Sequence, residues 1–126
     1  MSGREVDGKI TDPAVLAAHR FLVEQMPKLG LTPSNNSGHV KAVRLHDVEN
    51  RYLFSWIPNN AHLLFYIRKP ALKAAPHLHQ SFSATAPEAT QNPAGETTFR
   101  ITNMETAEKV VGWLKAELPS LAKVAP

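Results

Sequence analysis

Three arginines have the spacing to bind phosphate together, because each falls on a predicted strand opposite apolar neighbours. They are Arg44, Arg68 and Arg100. If every apolar set faces the helices, the three guanidinium groups share the open face of one sheet. A guanidinium pairs with two phosphate oxygens at once through its planar fork. The pattern therefore predicts an anion-binding surface.

Two aromatic residues, Tyr66 and Trp56, add a stacking surface to these arginines. Proteins that bind single-stranded nucleic acid combine aromatic rings with basic side chains in this way. The predicted ligand-binding residues are therefore Arg44, Trp56, Tyr66, Arg68 and Arg100. A solvated face on which long side chains cover apolar rings is the alternative. Trp56 and Trp113 would also suit the core or its edge.

His77 and His79 flank Leu78 and would point the same way on an extended chain. A metal site normally needs three or four ligands. His39, His46 and His62 are the other candidates, but no spacing matches a known metal motif. We therefore predict no metal and no cofactor, and interpret His77 and His79 as an exposed pair in a loop.

Nucleophilic chemistry has no clear signature in the sequence. His46 and Asp47 are adjacent, so on a strand their side chains point to opposite faces. No serine lies in a nucleophile-elbow motif, and no glycine-rich loop could hold a phosphate. No catalytic residue is assigned.

The elements that would position these residues begin with three strands, predicted at 40–46, 51–57 and 62–68. Short links join them, which favours an antiparallel meander. A fourth strand is predicted at 97–101, where β-branched and aromatic residues dominate. Strict alternation would put Tyr52, Phe54 and Trp56 on one face of the second strand.

Two helices complete the prediction. Asp12 and Pro13 begin the first, and Pro27 with Gly30 ends it. Thr102 and Glu105 form a capping box for the second, with Asn103 as the alternative cap. Pro119 is expected to end that helix. Gly112 is expected to let it lie close against the sheet.

The predicted fold is a single α+β domain over 1–126, in the order α-β-β-β-β-α. A single-layer, four-stranded, mostly antiparallel sheet would carry both helices on one face. Residues 1–10 are interpreted as a loose leader, 31–38 as a turn, 70–96 as a long Ala- and Pro-rich loop, and 119–126 as a tail.

Composition sets broad limits on function. The 126 residues carry a net charge of +3 with 43% hydrophobic residues and no cysteine, which excludes disulfides and thiolate chemistry. No signal peptide or membrane-spanning run is seen, so no membrane partner is expected and the cytoplasm is the default location.

The leading hypothesis is a non-enzymatic module that binds an anionic partner, nucleic acid or a phosphorylated ligand, through the open sheet face. The alternative is a protein-interaction or self-assembly domain, in which the open sheet face or an edge strand pairs with a protein partner or a second copy. The third is a small enzyme with a site under the 70–96 loop, using Arg68, His62, His77 or His79.

Overall fold

A computed structural model describes residues 10–35 and 42–124 of the chain. In these ranges the helices are α1 (Pro13–Gln25), α2 (Lys69–Ala74), α3 (Leu78–Thr85) and α4 (Met104–Val124), with a 3₁₀ helix at Met26–Leu29. The strands are β1 (Thr32–Asn35), β2 (Val43–His46), β3 (Tyr52–Pro58), β4 (Leu63–Ile67), β5 (Thr90–Gln91) and β6 (Thr97–Ile101). No helix in the described ranges is long and apolar enough to cross a membrane.

The described strands form one antiparallel sheet in the order β1-β2-β3-β4-β6-β5. The α+β class and the β2-β3-β4 meander are thus confirmed. The expected strand number of four is wrong, because β1 and β5 extend the sheet to six at its two edges. Neither edge strand was evident in the sequence. β1 contains Pro33, and proline is tolerated only in edge strands, whereas β5 is only two residues long.

One face of the sheet carries the core. Register aligns Leu45, Phe54 and Ile67 across β2, β3 and β4, and all three are fully buried. The helices supply the opposite side of this core through aromatic contacts. Phe82 of α3 packs on Phe65 and Phe99, Trp113 of α4 packs on Phe54, and His19 of α1 packs on Trp56.

The segment 70–96, expected to be a long loop, instead contains α2, α3 and β5. Pro70 occupies the first turn of α2, where its missing N–H costs little. Leu78 and Phe82 lie one helical turn apart in α3 and are both fully buried. The prediction failed because these helices are too short to show a clear period.

The helix starts agree well with the sequence. Asp12 caps α1 and accepts from the Ala14 N–H at 2.9 Å. At α4 the alternative cap is the correct one, since Asn103 Oδ1 accepts from the Thr106 N–H at 2.9 Å. Thr106, not Glu105, completes the reciprocal pair, because its hydroxyl accepts from the Thr102 and Asn103 N–H groups.

Pro119 does not end α4, which continues to Val124. Proline removes the hydrogen bond to the Lys115 carbonyl and its ring crowds that carbonyl, but Lys115 is an exposed residue. Leu121, 2% exposed, anchors the final turns in the core. The predicted tail is therefore helical as far as Val124.

Gly112 does not approach the sheet. It is exposed, and a Cβ added there would meet no atom within 4 Å. The close approach expected at this glycine is therefore wrong. Of the predicted leader, only Ile10 falls within the described residues, and it is 6% exposed.

Candidate functional site

The second face of the sheet carries the predicted arginines. Arg44 lies between Val43 and Leu45, and Arg100 between Phe99 and Ile101, where all four neighbours are buried in the core. Both arginines therefore point away from the helices. Register places Arg44, Ser55, Tyr66 and Thr98 in one row across four strands of this open face.

A β-bulge adds Tyr52 to the open face. Leu45 pairs with Phe54 but His46 pairs with Tyr52, which leaves Leu53 as an extra residue without a counterpart in β2. Leu53 and Phe54 are both fully buried, whereas Tyr52 lies beside Arg44 and Arg68. The expectation that Tyr52 shares a face with Phe54 and Trp56 is therefore wrong.

The turn before Tyr52 is held by one carboxylate. Asp47 Oδ1 accepts from the N–H groups of Glu49 and Arg51 at 3.0 and 2.9 Å, and Oδ2 accepts from the Arg51 guanidinium at 2.7 Å. Burial raises the pKa of Asp47, but these hydrogen bonds and the Arg51 charge outweigh it and leave the pKa below 3.8. This hydrogen-bonded turn fixes the position of Tyr52 next to the bulge.

Arg44 and Arg68 both lie over the ring of Tyr52. The guanidinium carbon of Arg68 is 3.8 Å from the ring centroid, and that of Arg44 is 5.4 Å away. Arg68 also donates from Nη1 to the Tyr52 carbonyl at 2.9 Å. Such cation–π contacts hold the planar groups in place while their edge N–H groups stay available.

Trp56 does not belong to this surface. It is fully buried on the covered face, and its Nε1–H donates to His19 Nδ1 at 3.0 Å. The placement of Trp56 among the ligand-binding residues is thus wrong, whereas its role as a core anchor is confirmed. Trp113, 4% exposed, is a core residue as well.

A shallow groove of about 290 Å³ joins Arg44, Tyr52, Tyr66 and Arg68. Its remaining lining residues are Ala42, Ser55, Ile57 and Glu96. Burial raises the pKa of Tyr66, with a smaller contribution from the charge of Glu96, so the Tyr66 hydroxyl stays protonated and able to donate at neutral pH. The groove thus combines two fixed guanidinium groups with a phenol donor.

Arg100 lies apart from this groove. Three strand spacings separate β2 from β6, so Arg44 and Arg100 are about 14 Å or more apart. Arg100 instead borders a wider cleft of about 750 Å³, where Glu88, Glu105 and Lys109 also lie. Although this cleft is larger, its charges nearly cancel, and the groove at Tyr52 is the stronger candidate for an anion.

The described histidines among those considered for a metal do not converge, and His39 lies outside the described residues. His77 Nε2 bonds Glu117 Oε1 at 2.8 Å, whereas His79 Nδ1 bonds the Thr97 hydroxyl at 2.8 Å. His62 contacts a different residue again, Asn59, at 3.3 Å. Burial and, to a smaller extent, the charge of Arg100 lower the pKa of His62. Within residues 10–35 and 42–124, no group of three potential ligands is assembled.

A serine, a glutamate and a histidine meet between α3 and α4, but in the wrong order for a nucleophile. Ser81 Oγ donates to Glu117 Oε2, and His77 bonds the other oxygen of the same carboxylate. An activated serine needs the imidazole, not the carboxylate, as its base. Trp113 Nε1–H donates to Ser81 Oγ at 2.9 Å, so this network joins the two helices.

Comparison with known proteins returns no match, whether to a family model, to a curated protein or to a solved structure. The candidate site is accordingly defined by its own geometry. Sequence reasoning found Arg44, Tyr66 and Arg68 but missed Tyr52 and Glu96, which the groove also contains. Tyr52 was missed because strict alternation carries no sign of a bulge, and Glu96 because it lay in the expected loop.

Proposed function

We propose that this protein is a binding module for a phosphate-bearing ligand, nucleic acid or a phosphorylated small molecule, held at the groove around Tyr52. The observation that carries the proposal is the pair of guanidinium groups at 3.8 and 5.4 Å from one tyrosine ring. Arg44 comes from the strand on one side of Tyr52, and Arg68 follows the strand on the other. The two therefore converge on a single ligand-sized space.

Preorganisation supports this assignment. An arginine that is already stacked loses less side-chain freedom when it binds an anion. Among the described residues no carboxylate forms an ion pair with Arg44, and the nearest one to Arg68 is Glu96 at 3.8 Å. Arg68 donates to the Tyr52 carbonyl, but no carboxylate among the described residues lies within hydrogen-bond distance of either guanidinium, which favours an external anion.

Self-assembly is the second candidate, and one observation favours it. Ile57 and Leu64 pair side by side on the open face and are only partly buried, as the centre of an interface would be. Such a dimer would, however, bring the arginines of both copies into one interface, and like charges oppose it. A cytoplasmic location stays a prediction.

An enzymatic role has less support than either binding role. The third hypothesis placed a site under a loop at 70–96, but α3 of that segment packs on the covered face. His77 and His79 there bond different partners. No described residue near the groove is placed to activate a nucleophile.

The direct test is a titration of backbone amide shifts with hexathymidylate and, separately, with inorganic pyrophosphate. We expect residues of β2, β3 and the start of α2 to respond to both probes. For a strand that contacts two or three cationic side chains, log Kd should rise with log salt by about 1.4 to 2.1, at roughly 0.7 per contact. An affinity that ignores salt, or shifts confined to the helices, would overturn the proposal.

Charge-matched variants separate a site from a general positive charge. R44Q should weaken pyrophosphate binding by at least about tenfold, since a hydrogen bond to a charged group contributes roughly 1.5–3 kcal/mol. K115Q removes the same charge from the exposed side of α4 and should leave binding unchanged. Equal losses in both variants would show non-specific attraction.

The reach of the ligand can be measured with R100Q. Because Arg100 lies about 14 Å or more from Arg44, pyrophosphate cannot span both. R100Q should therefore weaken hexathymidylate binding and leave pyrophosphate binding unchanged. A loss for neither probe would remove Arg100 from the binding surface and leave the groove as a compact site.

A further inference from the structure

Glu96 is the one carboxylate that lines the groove in the part of the chain the structure describes. Its side chain is 18% exposed, and the turn that carries it fixes its position. The Glu96 N–H donates to Asn92 Oδ1 at 2.9 Å, and the Asn92 amide donates back to Glu96 Oε1 at 3.2 Å. The groove thus contains an anchored negative charge close to Arg68.

The turn that holds Glu96 is itself constrained. Gly95 adopts a φ of 89°, in the left-handed region that glycine tolerates, and its N–H donates to the Asn92 carbonyl at 2.9 Å. These bonds involve no arginine. The carboxylate is therefore held by the β5–β6 turn, and it stays in the groove whether or not Arg68 turns to a ligand.

The contact between Glu96 and Arg68 is too long to saturate either group. Arg68 Nε and Glu96 Oε2 are 3.8 Å apart, beyond hydrogen-bond distance. Glu96 thus accepts no hydrogen bond from Arg68, yet its charge adds a negative field over the same space. Its charge also reaches Tyr66, whose pKa it helps to raise.

This inference rests on the proposed function. We infer that Glu96 is a specificity residue, which lets the groove bind phosphodiesters and cancels the extra affinity that the second charge of a phosphomonoester would otherwise give. A phosphodiester carries one negative charge, whereas a phosphomonoester carries nearly two at pH 7.5, since its second pKa is about 6. The arginines attract the second charge and the fixed carboxylate repels it. Oε2 can in addition accept a hydrogen bond from a ligand hydroxyl, such as the 2′-hydroxyl of RNA.

The test compares two ligands that differ by one charge, adenosine 5′-monophosphate and its O-methyl phosphodiester. Dissociation constants are measured by amide-shift titration at pH 7.5 in low salt, for the wild type, E96Q and E108Q. Glu108 is exposed on α4 and does not line the groove, so E108Q is the control for total charge. The amide introduced by E96Q keeps an acceptor for Asn92, which favours a folded variant.

The wild type and E108Q should bind the two esters within about threefold of each other. E96Q should bind the monoester at least about fivefold more tightly than the diester, as expected for a second charge no longer opposed at close range. An unchanged ratio in E96Q would overturn the inference. The inference would also be overturned if the wild type already bound the monoester about tenfold more tightly than the diester. That measurement needs no variant.

The proposed function and the role of Glu96 can fail separately. If neither ester binds the wild type at millimolar concentration, and hexathymidylate and pyrophosphate also fail, the proposed function is wrong. If both esters bind at the groove but their ratio does not depend on Glu96, the function stands and the role of Glu96 is removed.

Discussion

Single side chains in this protein show how burial separates a core aromatic ring from one that borders the proposed site. Trp56 and Tyr52 belong to the same strand, and either ring could serve as a stacking surface. Trp56 is fully buried and donates a hydrogen bond to His19, whereas the guanidinium groups of two arginines lie over the ring of Tyr52. The ring that faces solvent is the one available to a ligand.

Replacing Trp56 by Phe should destabilise the fold without affecting binding. W56F removes the Nε1–H that donates to His19 Nδ1 at 3.0 Å, and the loss of a buried side-chain hydrogen bond costs about 1–3 kcal/mol. Urea unfolding measures this loss. Pyrophosphate affinity should stay constant under folding conditions, and Y52L, the matched change on the open face, should weaken it. A binding defect in W56F would return Trp56 to the site.

At the scale of elements, the link between α3 and α4 makes a pH-dependent contribution to stability. The hydrogen bond from Ser81, followed by that from His77, lowers the pKa of Glu117 below its usual 4.5. A carboxyl whose folded pKa is depressed stabilises the fold above its unfolded pKa and loses this effect as the pH falls through the folded value. The contribution of Glu117 is therefore complete above about pH 5 and declines in acid.

The variant E117Q tests this sign. At pH 6 we expect E117Q to unfold more easily than the wild type by about 1–2 kcal/mol, since a charged acceptor is lost. The gap should narrow between about pH 5 and pH 3. E108Q, an exposed change on the same helix, should show no such narrowing. A gap that is constant over this range would contradict the assignment.

Two glycines should respond oppositely to alanine. Gly112 is exposed within α4, and a Cβ there meets nothing within 4 Å, so G112A should stabilise the protein by roughly 1 kcal/mol through helix propensity. Gly30 follows the 3₁₀ helix with a φ of 84°, where a Cβ is strained, so G30A should destabilise it by about 1 kcal/mol. Thermal unfolding of both variants measures the signs, and a loss in G112A would reveal a contact that the geometry does not show.

At the scale of the whole molecule, the asymmetry between the two sheet faces sets the expected solution state. The helices pack on one face, and the other carries Arg44 and Arg100. A dimer formed through the open face would bring these charges together, so the 126-residue chain should sediment as a monomer in low salt at all concentrations. Concentration-dependent association in low salt would favour the self-assembly alternative.

The sequence anticipated the features that depend on period and caps. Alternation correctly predicted that Phe65 of β4 and Phe99 of β6 lie on one face of the sheet, and Tyr66 and Arg100 on the other. Asp12 was correctly assigned as a helix cap. It could not anticipate features that depend on tertiary contacts. Pro119 sits inside a helix because Leu121 is buried beyond it, and the short helix α3 forms because Phe82 meets three other aromatic rings.

The candidate site was predictable in part, for a related reason. Arg44 and Tyr66 followed from alternation alone, but their neighbour Tyr52 required a two-against-one pairing in β2 and β3. Glu96 required the fold of a turn between two strands, one of them only two residues long. Charge pattern thus located the surface, whereas the composition of the groove depended on local irregularities.

The extra residue Leu53 also divides β3 into two parts that tolerate mutation differently. Beyond it, Phe54 and Trp56 are fixed by packing, so changes there are costly. Before it, Tyr52 contacts the arginines and leaves the interior untouched. If the groove binds a ligand as proposed, mutations at position 52 should therefore change its preference at little cost to the fold, and the same scaffold could accept new ligands.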